Sequence, residues 1–497
     1  MSIKPFDVFS QQNLGFEHGL KGWVIKGKKR HITVDSGIAY EGKACVKIGD
    51  GEISQRMETS AFSIIECRAF TKLTDSTIHA HSFLRFYDAF DKLLLEYTSK
   101  LNTDTAFQTT GFYTEAPFDV KYITIGIQKD NAGAGYIYAD AFAINLHVGE
   151  PASKRKPLCN INEYMLPFWN TDTIYNETVL LYSENGKPAI GKLLFKPAKL
   201  LSIKDFSLQT IFTPNKDYYL KGNIIQRTQE SAMPYRADSS FDTKTDLAWF
   251  NLQSQWVAVT YTHNDKWNGP VPVYKGNKMP HTISKLKSKS SLKIIAYGMS
   301  ITRGLDVSSY DDVAPYMPGY VDLFCYQLKN KYGYSNIQVY NAGLPGAAVD
   351  WGAMYAADYI NPVRPDLVII DFGMNDFWRY TAAQFKGYIQ TIIDKVKTQN
   401  PNAEFLLLSN MLFDPDYILA SDKNKSFYEK NLLGYNLVLQ QLESTGIVNL
   451  DMTTLSGFIY RYKKAKDCIA NPLHPNDYLA RWYAQAMVRL LYNGSDW

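Results

Sequence analysis

Near residue 291 the periodicity of the chain changes, and this change constrains the fold more than any other feature. From there on, short apolar runs ("LKIIAYG", "IQVYNAG", "DLVIIDFG", "EFLLLSNM", "IVNLDM") alternate with longer segments of helical spacing ("YVDLFCYQLKNKYG", "AAQFKGYIQTIIDKVKTQN", "KSFYEKNLLGYNLVLQQLESTG"). In the second of these, Phe385, Ile389, Ile392, Ile393 and Val396 fall on one face of a helix. Strands alternating with helices imply βαβ units, so residues 291–497 are expected to form a mostly parallel sheet with helices on both faces. Ligands of such sheets bind beyond the C-terminal ends of the strands, which is where chemistry is to be sought.

The preceding residues have a different texture. Over residues 1–150, short alternating runs such as "ITVDSG", "KACVKIGDG", "YITIGIQKD" and "GYIYADAFAINLHVG" are separated by turns and predict a β-sandwich. The basic, proline-flanked stretch "GEPASKRKPLCN" (Gly149 to Asn160) reads as a linker. Residues 160–288 are β-like again, with a hairpin signal at Asn185-Gly186, and "SKLKSKSS" bridges into the last region. At 497 residues the chain is too long for one compact core, which agrees with several domains.

Composition excludes several function classes. A net charge of +4, with "KGKKRH" (Lys26 to His31) as the one dense basic run, is too mild for a nucleic-acid partner. Five scattered cysteines form neither a disulfide framework nor a CxxC metal pattern. No apolar run reaches the length of a membrane span, and "MSIKPFDVFSQQNLGFEHG" lacks the apolar core of a signal peptide. Tyrosine, with 35 copies, is the most used aromatic residue; many copies are accounted for by β-propensity alone.

Four strand ends carry residues whose chemistry is complementary. Ser300 follows Gly298 and Met299 after the first strand, Gly343 ends "NAG" after the second, Asn375 lies in "GMND" after the third, and His474 precedes the last helix. A serine hydroxyl is a weak nucleophile and needs a base, most often histidine. The oxyanion formed in acyl transfer needs preplaced donors, such as backbone N–H groups and an asparagine amide. Singly, each residue has an ordinary structural reading: Ser300 as a turn residue, Asn375 as a cap, Gly343 as backbone geometry, His474 as a packed histidine. Together, and in this order, they divide the tasks of ester hydrolysis among them.

The blocks "YGMSITRG", "NAGLPG", "FGMND" and "LHPND" resemble the SGNH, or GDSL, hydrolases. The resemblance implies a three-layer α/β/α, flavodoxin-like domain over residues 291–497, with Ser300 as nucleophile and His474 as general base. Ser300, Gly343 and Asn375 would then be the oxyanion donors. It implies no catalytic cofactor. The segment 160–288, with "FWNTDTIYNETVLLY", "KLLFKP" and "SAMPY", resembles the β-rich domain that precedes the hydrolase domain in one branch of SGNH carbohydrate esterases. Residues 1–150, with "NLGFEHGLKGWVIKG" and "GYIYADAF", are similar to jelly-roll carbohydrate-binding modules. That likeness implies a structural calcium at Glu17 and Asp140. The whole resemblance implies two β-sandwich domains ahead of an esterase that removes O-acetyl groups from a polysaccharide.

Two departures from the family pattern bear on this expectation. Met299 stands where an aspartate is usual, and Asn471 stands three residues before the histidine, where many members carry an aspartate. A neutral amide cannot stabilise an imidazolium as a carboxylate does. Either the protein works as a Ser–His dyad, the reading adopted, or Asp467 of the same loop reaches in. Asp477 reads as the N-cap of the last helix and Asp376 as a residue that orders its loop, while Trp351, Trp378 and Tyr380 are candidates for lining a sugar site. The departures also motivate a catalytically dead glycan-binding protein, and a lipase-like esterase on hydrophobic esters is a third reading. The missing export signal suggests a phage tail component, with virion tail proteins as partners; a cytoplasmic or exported bacterial enzyme is the competing setting.

Overall fold

The computed structural model describes residues 13–28, 31–59, 63–75, 77–101, 106–116, 120–130, 135–147, 155–237, 253–419, 422–495 and 497. The chain forms two compact units, Met1–Glu150 and Pro151–Trp497. Half of the expected linker, residues 149–154, and the start of the chain through residue 12 lie outside the described residues.

The described residues of the first unit contain ten strands: β1 (Val24–Lys26), β2 (Ile32–Asp35), β3 (Cys45–Ile48), β4 (Gly51–Glu58), β5 (Ile64–Leu73), β6 (Ala80–Tyr87), β7 (Leu93–Lys100), β8 (Gln108–Glu115), β9 (Tyr122–Lys129) and β10 (Ile137–His147). They make two five-stranded sheets, ordered β1-β4-β9-β6-β7 and β2-β3-β10-β5-β8, with antiparallel pairing. Strand β9 shows why: Ile123, Ile125 and Ile127 alternate with Thr124, Gly126 and Gln128, and the three isoleucines are buried. Phe16, Trp23, Val46, Ile53, Ile137 and Phe142 join the core, with the Phe16 and Trp23 rings stacked at 4.8 Å.

The two residues expected to hold calcium both accept backbone N–H groups. Asp140 accepts N–H groups from Tyr40 and Glu41 at one oxygen (2.9 and 3.0 Å) and from Ala141 at the other (2.7 Å). Glu17, which is exposed, accepts the N–H groups of Lys43 and Ala44 at 2.7 and 3.2 Å. Five N–H donors around two carboxylates form an anion-holding clasp on the 40–44 turn, and no group of three or more metal-ligating side chains occurs among the described residues. Each carboxylate keeps lone pairs beyond these bonds, and burial, helped by the Glu17 charge, raises the Asp140 carboxyl, so the pair remains the candidate for the calcium expected from the sequence.

The second unit starts with a β-rich region. Strands β11 (Thr173–Leu180), β14 (Pro197–Asp205) and β18 (Trp256–His263) form a sheet ordered β11-β18-β14, while β12 (Tyr182–Ser183), β13 (Ile190–Lys192), β15 (Tyr218–Lys221), β16 (Ile224–Arg227) and β17 (Arg236–Ala237) form a second, ordered β15-β16-β13-β12-β17. Asn185 and Gly186 both take positive φ, 53° and 72°, between β12 and β13, as the hairpin signal required.

The remainder is the expected parallel sheet. Strands β19 (Leu292–Gly298), β20 (Ile337–Gly343), β21 (Leu367–Asp371), β22 (Glu404–Leu408) and β23 (Ile447–Leu450) lie in the order β20-β19-β21-β22-β23. This is the doubly wound order in which connections leave to opposite faces on the two sides of the first strand, so a crevice opens at the C-terminal end of β19. The helix Ala382–Gln399 buries Phe385, Ile389, Ile392, Ile393 and Val396, the face read from the sequence, and packs beside the helix Val349–Ile360. The helix Tyr320–Tyr332 packs beside the C-terminal helix Asp477–Leu491.

That last helix departs from a one-faced pattern, because Arg489 alone among its residues escapes burial. Its outer side is covered by the β-rich region: Arg481 donates to the carbonyls of Tyr164 and Tyr175, Gln485 to that of Leu166, and Phe168 stacks on Trp482 at 3.3 Å. The N-cap is Asn476, which accepts the N–H groups of Tyr478 and Leu479. Asp477, expected as the cap, is instead a buried acceptor for the N–H and hydroxyl of Ser308, at 2.8 and 2.7 Å. Asp376 orders its loop as expected, accepting Val349 N–H at 2.7 Å at the start of the helix Val349–Ile360.

Two measurements test these points. Chelation with EGTA is expected to lower the melting temperature of the whole protein; an unfolding profile that calcium and EGTA leave unchanged contradicts a calcium at Glu17 and Asp140. Burial pushes Asp376 up to about 7, and its Oδ2 has no hydrogen-bond partner among the described residues. Because the folded state holds this proton more tightly than the unfolded chain, the stability it contributes is present at low pH and is lost as pH rises through about 7. Asp376→Asn should therefore gain on the parent between about pH 5 and about pH 8, by about 1 kcal/mol or more in urea unfolding. A constant difference across that range contradicts the buried, protonated carboxyl.

Candidate active site

Two glycines let the site form. Gly298 and Gly343 are partners in parallel register at the ends of β19 and β20. A Cβ on Gly298 would lie 2.3 Å from the Asp371 carbonyl oxygen, and one on Gly343 would lie 2.5 Å from Arg303 N and 2.8 Å from the Met299 carbonyl oxygen. Without side chains here, the single helical turn Ser300–Arg303 sits directly on the strand ends. Met299 precedes it in extended conformation and is fully buried. Its N–H goes to Thr302 Oγ1 at 3.1 Å, and that hydroxyl donates to Asp371 Oδ2 at 2.9 Å, where Tyr320 also donates at 2.8 Å. Polarity beneath the serine turn thus comes from Asp371 on the neighbouring strand. Desolvation pushes this carboxyl up to about 6.

The turn ends at Gly304 with φ of 90°, and Asp306 follows with φ of 65°. These two left-handed residues fold the chain back over the serine. Ser300 Oγ lies 2.8 Å from His474 Nε2, and His474 Nδ1 lies 2.5 Å from Asp306 Oδ2. Serine and histidine are 5% and 2% exposed, so the contact is screened from bulk water. A carboxylate accepts only, so the Nδ1 proton points at Asp306 and Nε2 is left as acceptor for the Ser300 hydroxyl. Serine, histidine and aspartate are thereby joined in series.

Asp306 was not among the residues singled out from the sequence, and the expected dyad gives way to it. Asn471 does lie beside the histidine, 2.9 Å from Nδ1, but its amide donates to the same Asp306 oxygen while its own carbonyl accepts the N–H groups of Leu473 and His474. It holds the histidine turn and the carboxylate together and leaves the charge to Asp306. Asp467 does not reach the histidine. Its carboxylate accepts Leu180 N–H at 2.7 Å and stands 3.5 Å from Lys463, on the far side of the loop. Close by the triad, Asp311 accepts from Gln253 at 2.6 Å and is pushed up to about 6 by burial and by the charge of Asp306.

The oxyanion donors also differ from expectation. The Gly343 N–H is committed to Asn341 Oδ1 at 3.0 Å, so this glycine serves as a close-contact spacer. Asn375 gives one amide hydrogen to the Ala347 carbonyl at 2.8 Å, which fixes the plane of the side chain and leaves its second hydrogen for a ligand. The Ser300 N–H lies in the first turn of its helix, where no intrahelical acceptor exists. Of the three aromatic candidates, all part-exposed, Trp351 packs on Tyr297, Tyr355 and Tyr359, and Tyr380 packs on Tyr388 and bonds to Asp350. Trp378, part-exposed three residues beyond Asn375, belongs to a ring cluster with Phe377 and Phe413.

No curated protein matches the chain. Among solved structures it is similar to an acetylxylan esterase from Geobacillus stearothermophilus (17% identity, TM-score 0.33, covering 41% of this chain and 96% of that one). It is also similar to a family 16 carbohydrate-binding module (18% identity, TM-score 0.23, 27% and 96%). A third likeness is to the enzymatically active domain of bacteriophage CBA120 tailspike protein 4 (11% identity, TM-score 0.24, 27% and 21%). Residues 296–481 match the family model of the GDSL-like Lipase/Acylhydrolase family. These residues bring the serine turn of β19, the Asp306 return and the His474 loop into one segment, so the second unit holds a GDSL-like lipase/acylhydrolase domain and the chain is a carboxylic ester hydrolase.

Proposed function

We propose that the protein is a serine esterase that removes O-acetyl groups from a polysaccharide. The observation that carries this reading is the buried series Ser300–His474–Asp306 at the end of a parallel sheet. His474 Nε2 takes the hydroxyl proton as Ser300 Oγ attacks the ester carbonyl, and Asp306 stabilises the imidazolium that forms. The oxyanion is received by the Ser300 N–H and the free hydrogen of the Asn375 amide. The carbonyl re-forms as the C–O bond to the sugar breaks, and the imidazolium proton goes to the departing alkoxide. Water then attacks the acetyl-serine, giving its proton to His474, and acetate leaves as Ser300 recovers its hydrogen.

Support for a glycan comes from the first unit. On β4, β6 and β9 the residues that alternate with the core include Arg56, Arg85, Tyr87, Tyr122, Thr124 and Gln128. Tyr87 and Tyr122 stack at 4.8 Å, and the Arg56 guanidinium lies 3.5 Å over the Tyr122 ring. Tyr122 is itself buried, so Tyr87, Arg56 and Gln128 are the groups this face offers to the apolar faces and hydroxyls of sugars. Among the described residues no helix is long and apolar enough to cross a membrane. The reading includes the phage-tail setting expected from the sequence; antibody labelling of virions tests that part alone, with label on the tail expected and unlabelled particles as the contrary result.

Incubation with acetylated bacterial surface polysaccharides should release acetate, and Ser300→Ala should reduce the rate by about 10^3-fold or more. No release from acetylated glycans or aryl acetates by the parent, or an unchanged rate in Ser300→Ala, contradicts the proposal. Asp306→Asn should lower kcat by about 10^3- to 10^4-fold with little change in KM. A loss below about tenfold would return the chain to a Ser–His dyad.

A further inference from the structure

The loop that carries His474 is anchored from outside the GDSL-like domain. His474 lies on a short hairpin, β24 (Ile469–Asn471) and β25 (His474–Pro475), between the turn 465–467 and the C-terminal helix. Three buried donors of the β-rich region hold its entry. Trp256 Nε1 donates to the Lys466 carbonyl at 2.9 Å, Leu180 N–H to Asp467 Oδ1 at 2.7 Å, and Thr178 Oγ1 to the Asp467 carbonyl at 2.5 Å. The exit is tied to the same point: Asn476, two residues after His474, donates to Thr178 Oγ1 at 3.2 Å and to the Asp467 carbonyl at 3.0 Å. Asp467 is held in turn by Lys463, which pairs with Glu177 of β11 at 2.5 Å, with both side chains fully buried.

We infer that Thr178 of β11 is a positioning residue for His474, so that the β-rich region is a working part of the active site. Among the described residues the hydroxyl is the one side-chain group from outside the loop with bonds to both its entry, at Asp467, and its exit, at Asn476. Thr178 is 2% exposed and Asn476 is not exposed at all, so no water replaces the hydroxyl readily. Removing it cuts the bond between β11 and the exit at Asn476 and leaves Leu180 N–H as the β11 donor to the entry, so the hairpin can shift about that remaining bond. A small shift matters because His474 must reach Ser300 Oγ and Asp306 Oδ2 at once, and misplacement of a catalytic group by about 1 Å can cost about 10^2-fold.

The inference rests on the esterase reading, and its test separates the two. Parent, Thr178→Val and Thr178→Ser are compared on an aryl acetate, with rates expressed per serine titrated by a fluorophosphonate. The titration of the His474 ring is followed by NMR in the same proteins. Thr178→Val is expected to lower kcat per titrated serine by about tenfold with KM unchanged, and to move the His474 titration midpoint. Thr178→Ser should restore both. If Thr178→Val loses activity only in proportion to its titratable serine and the midpoint stays in place, Thr178 supports the fold alone and the inference is overturned. Should Thr178→Val not fold, Thr178→Cys, which keeps the volume and weakens the donor, is read in the same way. A parent that hydrolyses nothing counts against the esterase reading, while the His474 midpoint still decides the positioning role.

Discussion

The second unit is organised around one constraint: a serine from the first strand of the sheet, an aspartate six residues later and a histidine from the end of the chain must meet in a water-poor crevice. The hydrogen bonds of 2.8 Å from Ser300 to His474 and 2.5 Å from His474 to Asp306 record that the constraint is met. Each participant is held by a different device. The Gly298–Gly343 apposition seats the serine turn on the strand ends, and left-handed backbone at Gly304 and Asp306 returns the carboxylate. A hairpin pinned at both ends delivers the imidazole. Catalysis in such a site depends on preorganisation, because the donors and the base must already be in place when charge develops.

The β-rich region explains several features that the GDSL-like domain alone does not. The C-terminal helix is polar at Arg481 and Gln485 yet buried on its outer side, because carbonyls at Tyr164, Leu166 and Tyr175 accept those donors. The fully buried Lys463–Glu177 pair is tolerable because Asp467, Tyr261 and the Leu194 N–H complete its surroundings. A buried ion pair adds little net stability, but breaking one is costly, so this cluster fixes register between the two parts. Regions that read as separate domains along the sequence therefore share one core and one active-site loop.

Much of this was legible in the sequence. The switch from period-two runs to alternating strands and helices located the parallel sheet, and the buried face of the helix Ala382–Gln399 was named residue by residue. Ser300, His474 and Asn375 were found because nucleophile, base and amide donor stand at strand ends, where the topology concentrates chemistry. Asp306 was missed for a physical reason. Its approach depends on left-handed backbone at both Gly304 and Asp306, and "RGLDVSSYDD" offers three aspartates with no periodicity to choose among them. Gly304 was the available signal, since a glycine closing a turn after the serine announces a chain reversal. Gly343 was assigned a donor role that its N–H, already given to Asn341, does not fill. Asp467 had the right charge in the right loop but faces away, a distinction that only packing against β11 decides.

The most direct test of the account is a crystal structure of the protein after reaction with a fluorophosphonate. The account predicts phosphorus bonded to Ser300 Oγ, with His474 still bridging to Asp306. The phosphoryl oxygen should lie within hydrogen-bond distance of both the Ser300 N–H and the Asn375 amide. An adduct on another residue, or a phosphoryl oxygen received by the Gly343 N–H with Asn375 turned away, would contradict it.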